Sequence, residues 1–190
     1  GEHVSVVDVS SAYAVLGVMG PASRRLLSRL GSADLSDEAF PFSTSREISL
    51  GYATLRATRI TYVGELGWEL YVPSEFAVGV YEDLVAAGAD LDLGLADAGY
   101  YAINSLRLDK GYRAFGADLT PDHSPLEAGL RFTCKLKTPI EFVGRTALES
   151  AIEAGPRRRL VSLRVRDPDA MLWGGELVLH DGEAAGQVTS

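Results

Sequence analysis

The alternation of apolar and polar residues along the first third of the chain predicts a sheet with a helix packed against it. An apolar run at residues 12–19 (AYAVLGVM) predicts a buried strand, and a glycine–proline pair ends it and opens a helix over residues 22–30. Residues 47–50 and 52–63 predict two more strands. Together these elements indicate that a sheet is assembled here.

Residues 60–73 (ITYVGELGWELYVP) predict a hairpin that carries a polar pair. Gly64 and Gly67 permit a tight reversal between two strand-like arms, and a proline ends the second arm. Tyr62 and Glu69 lie one on each arm, so the hairpin would bring an aromatic ring and a carboxylate together, as a flat ligand with an amide edge requires. The hairpin alone favours a plainer interpretation, in which Tyr62 is a strand aromatic and Glu69 a solvated charge.

Helical spacing of apolar residues predicts two helices after the hairpin. The first covers residues 74–88, with Ser74 as its N-cap and Gly88 at its end. The second covers residues 96–110 and has one apolar face for the core. Its other face groups three polar side chains: Tyr100, Asn104 and Arg107.

The rest of the chain is less regular and predicts a long ordered loop before further elements. Glycines and prolines interrupt residues 112–131 repeatedly, and a long segment of this kind with interleaved apolar residues is typical of a loop that lines a site. Residues 144–155 predict an amphipathic helix, with Arg145 as a structural residue at its start. An arginine-rich linker then leads to residues 160–165, whose alternation predicts a half-buried strand.

Composition and charge exclude several classes of function. The chain is 46% hydrophobic and 23% charged, which is typical of a globular fold, and its net charge of −8 argues against a nucleic-acid partner. Cys134 is the single cysteine and the three histidines are scattered, so we expect a reducing setting and no metal site. No stretch approaches the roughly 20 apolar residues of a membrane span, so no membrane partner is expected.

The two ends of the sequence predict a fragment of a longer protein. Gly1 opens the chain where a methionine would be expected, and the C-terminus follows directly on a strand-like run. The N-terminus also lacks the basic and apolar segments of an export signal.

The usual nucleotide, phosphate-loop and hydrolase motifs are absent, but three segments together resemble one known family. These are YVGELGWELYVP at 62–73, NSLRLDKGYRAFGADLTPDHSPLEAGL at 104–130 and EFVGRTAL at 141–148. They resemble the folate-binding domain of the glycine cleavage T protein (aminomethyltransferase) family, nearest to the C-terminal region of its FAD-dependent sarcosine and dimethylglycine dehydrogenase branch. The resemblance runs from about residue 12 to the C-terminus.

The resemblance implies an α+β fold of mixed or antiparallel sheets with packed helices. Residues 1–156 would be the C-terminal part of the folate-binding aminomethyltransferase-type domain. Residues 157–190 would be the truncated start of a small C-terminal β-barrel domain.

The resemblance also assigns the site. It places Tyr62 and Glu69 against the pterin of tetrahydrofolate and Arg107 close by, where Arg107 could hold Glu69 or the folate carboxylates. A carboxylate suits that ring, because the pterin N3–H and 2-amino groups are adjacent donors that it accepts in a forked pair. The family's catalytic aspartate is expected outside this chain, so no catalytic residue is assigned and the chain alone is expected to be inactive.

The function implied is one-carbon transfer to tetrahydrofolate from an N-methyl or aminomethyl donor, giving 5,10-methylenetetrahydrofolate, within a sarcosine or dimethylglycine dehydrogenase-like protein. The alternatives are a T-protein aminomethyltransferase of glycine cleavage and a non-catalytic folate-binding scaffold or sensor. The expected partners are folate, an N-terminal FAD domain and the remaining folate domain of the same protein. The expected location is the bacterial cytoplasm, with the mitochondrial matrix as the alternative.

Overall fold

The computed structural model describes residues 3–190, and contacts along the chain divide it after Lys110. One unit ends at Lys110 and the other runs over Gly111–Ser190. The domain boundary predicted between residues 156 and 157 falls inside the second unit, and it stays a prediction.

A four-stranded antiparallel sheet organises the first unit. Its order is β1-β4-β3-β2, so β4 is a central strand between β1 and β3. The α+β prediction is confirmed, and all the strand pairs described here are antiparallel. The strands are β1 Tyr13–Met19, β2 Ser45–Leu50, β3 Ala53–Thr58 and β4 Gly67–Pro73.

The core of this unit lies on one face of the sheet. Because side chains alternate along a strand, Trp68, Leu70 and Val72 point inward from β4, and each is 0% exposed. Phe40 and the Trp68 indole pack in a T-shaped arrangement, with ring centroids 6.2 Å apart and an interplanar angle of 68°. This packing fixes the backbone of β4, and it therefore fixes the residues of β4 that point outward.

Among the described residues this unit contains three α-helices, and the second starts and ends later in the sequence than predicted. The helix α1 spans Ser23–Leu30, and α2 spans Ala77–Asp90 after a 3-10 turn at Ser74–Phe76. The predicted end at Gly88 is wrong, and so is the predicted N-cap at Ser74, because the helix starts after Phe76. Gly88 instead permits the close approach of Leu95, because a Cβ at position 88 would lie 2.8 Å from the Cβ of Leu95.

The third helix, α3, is shorter and more exposed than predicted. It spans Tyr100–Asp109 and begins after Gly99, which has extended backbone angles at the N-cap, so the predicted start at residue 96 is wrong. The predicted apolar face is also not a core face: Leu106 is 43% exposed, and Ala102 is exposed as well. Arg107 is the one buried residue of this helix.

The second unit contains one α-helix and one hairpin among the described residues. As predicted, residues 112–130 form no helix or extended strand, yet internal hydrogen bonds order them. A 3-10 turn at Arg131–Thr133 follows. The predicted strand at residues 160–165 is wrong, because no described strand pairs with that segment. The regular elements are α4 Arg145–Ala154, β5 Leu177–His180 and β6 Glu183–Gln187.

Arg145 has the structural role that the sequence predicts. Its guanidinium donates to the carbonyls of Leu136, Thr138 and Ile140 and also pairs with Glu149 at 3.0 Å. One side chain thus holds the loop before α4 to the start of that helix. A β-barrel beginning in this unit stays a prediction.

Candidate functional site

The predicted hairpin exists, but its loop is longer than the sequence indicates. The strand β3 ends at Thr58 and β4 begins at Gly67, so residues 59–66 connect them and Tyr62 lies in this connection rather than on a strand. The threonine at position 61 explains the difference. Its Oγ1 accepts hydrogen bonds from the backbone N–H of Val63 at 3.3 Å and of Gly64 at 3.1 Å. These local hydrogen bonds form a turn in place of the interstrand hydrogen bonds that a strand would need.

The two glycines of the hairpin have separate structural roles. Gly64 adopts a φ of 81°, which side chains rarely tolerate. Gly67 is required by a close approach to β1, since a Cβ there would lie 2.8 Å from Cγ of Met19 and 2.9 Å from the carbonyl oxygen of Val18. The loop that carries Tyr62 therefore has a defined shape.

Tyr62 and Glu69 stand in different environments. The Tyr62 side chain is 38% exposed in the loop, where its ring is accessible. Glu69 is half-buried on β4, on the face opposite to the Trp68 core. Its cross-strand neighbours are Gly17 on β1 and Thr58 on β3.

Tyr71 holds the Glu69 carboxylate. The Tyr71 hydroxyl donates to Oε2 of Glu69 at 2.9 Å. Within residues 3–190 the Glu69 carboxylate accepts this one hydrogen bond, and its Oε1 accepts none. The bond raises the pKa of Tyr71 above its ordinary value, with burial and the negative charge of Glu69 adding to the effect. The phenol therefore remains a donor at neutral pH.

Arg107 is buried and bonded to its own helix. It is 1% exposed, and its Nε and Nη2 donate to Oδ1 of Asn104 at 2.8 and 2.6 Å. The predicted grouping of Asn104 with Arg107 is thus confirmed, while Tyr100 is 89% exposed. The alternative in which Arg107 holds Glu69 is not observed in the described residues, where the carboxylate bonds to Tyr71.

Sequence reasoning missed Tyr71, although the signal was present. Residues two apart on a strand share a face, so a tyrosine at this position on β4 could reach Glu69. The hairpin prediction gave Tyr71 no role in the site.

An open groove runs along the same outer face of the sheet. Its volume is about 340 Å³, and Tyr71 forms part of its wall with Tyr13, Glu47, Arg56 and Pro73. Arg56 is paired with Glu47 at 3.7 Å, and both side chains are largely exposed. The groove shows that the outer face beside the Glu69–Tyr71 pair is open.

The described part of the chain shows neither a metal-binding cluster nor a membrane-spanning helix. No group of three or more histidine, cysteine or acidic side chains is placed to hold a metal ion there. None of the helices in that part is long and apolar enough to cross a membrane.

Comparison with known proteins identifies relatives along the whole chain. The family model of the GCVT N-terminal domain matches residues 1–138. The chain is 49% identical to mitochondrial sarcosine dehydrogenase of Homo sapiens over 96% of its own length and 20% of that protein. It is 41% identical to mitochondrial dimethylglycine dehydrogenase of Mus musculus over all of its length and 22% of that protein.

A solved structure confirms the fold. The crystal structure of glycine cleavage system aminomethyltransferase T from Bartonella henselae matches with a TM-score of 0.76 and 28% identity, covering 94% of this chain and 47% of that one. The chain thus spans about a fifth of the length of the curated relatives above and about half of the solved aminomethyltransferase.

Proposed function

Because this chain belongs to the family of the GCVT N-terminal domain, we propose that it is the tetrahydrofolate-binding part of a one-carbon transfer enzyme. The whole enzyme would pass a methylene unit from an N-methyl or aminomethyl donor to tetrahydrofolate and form 5,10-methylenetetrahydrofolate. The identities to sarcosine and dimethylglycine dehydrogenases favour a protein of that type, and a T-protein aminomethyltransferase is the alternative. FAD would then belong to a separate domain of the same protein.

The single observation that carries this proposal is the state of Glu69. Its carboxylate is fixed on a central strand, is half-buried, and has one oxygen that accepts no hydrogen bond within residues 3–190. An ionised carboxylate offers about four lone-pair sites, and Tyr71 uses one. The remaining sites suit a pair of adjacent N–H donors, which is the edge that a 2-amino-4-oxopterin presents.

Tyr62 would complete the pterin site as a packing surface. Its loop is shaped by the Thr61 turn and by the positive φ of Gly64, and its side chain is 38% exposed, so part of it can meet a flat ligand. Aromatic rings favour offset stacking or edge contacts with such ligands, and the hydroxyl adds a polar group.

Arg107 would support the site from within α3. Its 1% exposure and its two hydrogen bonds to Asn104 favour a role in fixing local structure over direct pairing with the folate carboxylates. Loss of a buried guanidinium leaves its partners unpaired, so Arg107 stabilises the local structure of α3.

The chemistry of the reaction would come from tetrahydrofolate, whose N5 amine captures a one-carbon unit at the oxidation level of formaldehyde. The residues of this chain would bind and orient the pterin, and positioning of this kind supplies a large part of many rate enhancements. The proton-transferring aspartate is expected in another part of the protein. We therefore propose no catalytic group here, and no activity for the chain alone.

For the location we propose the bacterial cytoplasm, with the mitochondrial matrix as the alternative. The free cysteine Cys134 is compatible with either reducing compartment. The two curated relatives described above are both named as mitochondrial.

The proposal is tested by titrating 5-formyltetrahydrofolate into the full-length protein that contains this chain and into its Glu69→Ala variant. We expect binding at least about tenfold weaker in the variant, because a charged partner of two N–H groups is lost. Glu65→Ala is the matched control, since Glu65 is an exposed glutamate in the same hairpin loop. Equal affinities of wild type and Glu69→Ala would remove Glu69 from the site.

A further inference from the structure

The carboxylate of Glu69 depends on one neighbour for its orientation. Of its cross-strand neighbours, Gly17 has no side chain, and the Thr58 hydroxyl donates to Ser45 Oγ at 3.0 Å. A Cβ added at Gly17 would meet nothing nearer than 3.6 Å, so β1 leaves the flank of Glu69 open. The packing of β4 fixes the backbone position of Glu69, but it does not fix the direction in which the carboxylate points.

Tyr71 supplies the missing constraint. It projects from the same face of β4, and Leu70 between the two residues is 0% exposed, so their spacing is set by the core. The groups that face Tyr71 from the neighbouring strands are Val15 and Arg56. Arg56 pairs with Glu47 instead, which leaves the Tyr71 hydroxyl as the partner of Oε2 of Glu69.

We propose that the Tyr71 hydroxyl is a positioning group that holds the Glu69 carboxylate in the orientation from which it accepts the two N–H donors of the pterin. The inference rests on the proposed folate function. Tyr71 itself does not contact the ligand in this account. It occupies one lone pair of Oε2 and selects one rotamer of Glu69, so that Oε1 remains free for the pterin.

A double-mutant cycle in the full-length protein separates this role from a structural one. 5-Formyltetrahydrofolate is titrated into wild type, Tyr71→Phe, Glu69→Gln and the double variant. We expect Tyr71→Phe to weaken binding about tenfold in wild type and by less than about twofold in the Glu69→Gln background. Such coupling is expected only if Tyr71 acts through Glu69. A loss of the same size in both backgrounds, or no loss in wild type, would overturn the inference.

Tyr13→Phe is the matched control, because Tyr13 lies on the same sheet face and is 46% exposed. Its hydroxyl makes no hydrogen bond within the described residues, so we expect unchanged binding. Unfolding midpoints of all variants are compared to exclude a general loss of structure.

Infrared spectroscopy without any ligand tests the hydrogen bond by itself. The carboxylate band of Glu69 is the one lost in Glu69→Gln, and we expect it to shift in Tyr71→Phe and to stay in place in Tyr13→Phe. A band that does not move would refute the Tyr71 contact, whatever the protein binds. By contrast, a shifted band together with unchanged folate affinity in Glu69→Gln would remove Glu69 from the site and overturn the positioning role, whereas no binding of 5-formyltetrahydrofolate by wild type would overturn the folate proposal.

Discussion

At the scale of single residues, Trp68 and Glu69 show how adjacent positions of one strand face different surroundings. Trp68 is fully buried beneath Phe40, and the guanidiniums of Arg24 and Arg59 lie 6.0 and 5.7 Å from its ring. Glu69 points to the opposite face, where it meets Tyr71. The alternation of a strand thus places a core anchor and a proposed binding group side by side.

The anchor role of Trp68 gives a stability expectation. Trp68→Ala should lower the free energy of unfolding by about 3–5 kcal/mol, because a buried indole leaves a large cavity. Urea denaturation of the chain measures this. Trp173→Ala is the control, since Trp173 is 84% exposed and should change stability by no more than about 0.5 kcal/mol. Similar effects of the two changes would contradict the assigned core.

Glu127 gives an expectation for pH. The backbone N–H of Ser124, the Arg158 guanidinium and the Ser124 hydroxyl all donate to this carboxylate, and they lower its pKa from 4.5 to about 2. Because the folded-state pKa is depressed, the stabilisation is complete above about pH 4.5 and is lost as the pH falls toward 2. Thermal unfolding of Glu127→Gln should therefore lose part of the acid dependence seen in wild type over this interval.

The control for that measurement is Glu141→Gln, because Glu141 is exposed and has no hydrogen bond within the described residues. It should follow the wild-type curve. If Glu127→Gln follows that curve as well, the hydrogen bonds of Glu127 do not stabilise the folded chain.

At the scale of elements, two glycines of α2 should respond to alanine in opposite directions. Glycine inside a helix usually costs about 0.5–1 kcal/mol relative to alanine. Gly79 has open space at its Cβ position, so Gly79→Ala should stabilise the chain by about this amount. Gly88→Ala should destabilise it, since the new methyl group would lie 2.8 Å from Leu95. Chemical denaturation of both variants tests the contact, and stabilisation by both would disprove it.

The same helix shows why some elements were predicted and others were not. The strands β1 and β2 and the helices α1 and α4 follow local patterns, and the sequence predicts them to within a few residues. A glycine at position 88 is typical of a helix end, but here the close contact with Leu95 explains why the residue is glycine. Likewise, residues 160–165 alternate as a strand does, but strand formation needs a partner, and a local pattern carries no information about partners.

At the scale of the whole molecule, the hydrophobic core is distributed unevenly. Every member of the core cluster lies between Val18 and Ala87, within the first unit. In the second unit, among the described residues, Ala128 and Asp118 are the buried positions. The two units should therefore differ in local stability.

Hydrogen–deuterium exchange of the chain measures that difference. Amides that exchange only on global unfolding should be confined to β1–β4, α1 and α2, because these elements hold the core. The elements α4, β5 and β6 should exchange faster. Equal protection in both units would show that the second unit is stabilised by contacts other than burial.

The site was predictable from the sequence only in part, for a reason that applies to the whole molecule. Family resemblance proposes Tyr62, Glu69 and Arg107 as site residues, but it does not indicate that Tyr62 lies in a loop or that Arg107 is buried. The spacing of Tyr71 and Glu69 indicates a shared strand face, but the lack of other polar partners around Glu69 becomes visible only in the assembled sheet. Local patterns identify the groups, and tertiary packing decides which groups meet.

The most direct test of the central claim is a crystal structure of the full-length protein bound to 5-formyltetrahydrofolate. Our account expects the pterin N3–H and 2-amino groups to donate to the Glu69 carboxylate, with the Tyr71 hydroxyl still on Oε2 and the Tyr62 ring against the pterin. A pterin edge bound by other residues, with Glu69 in solvent, would contradict the account.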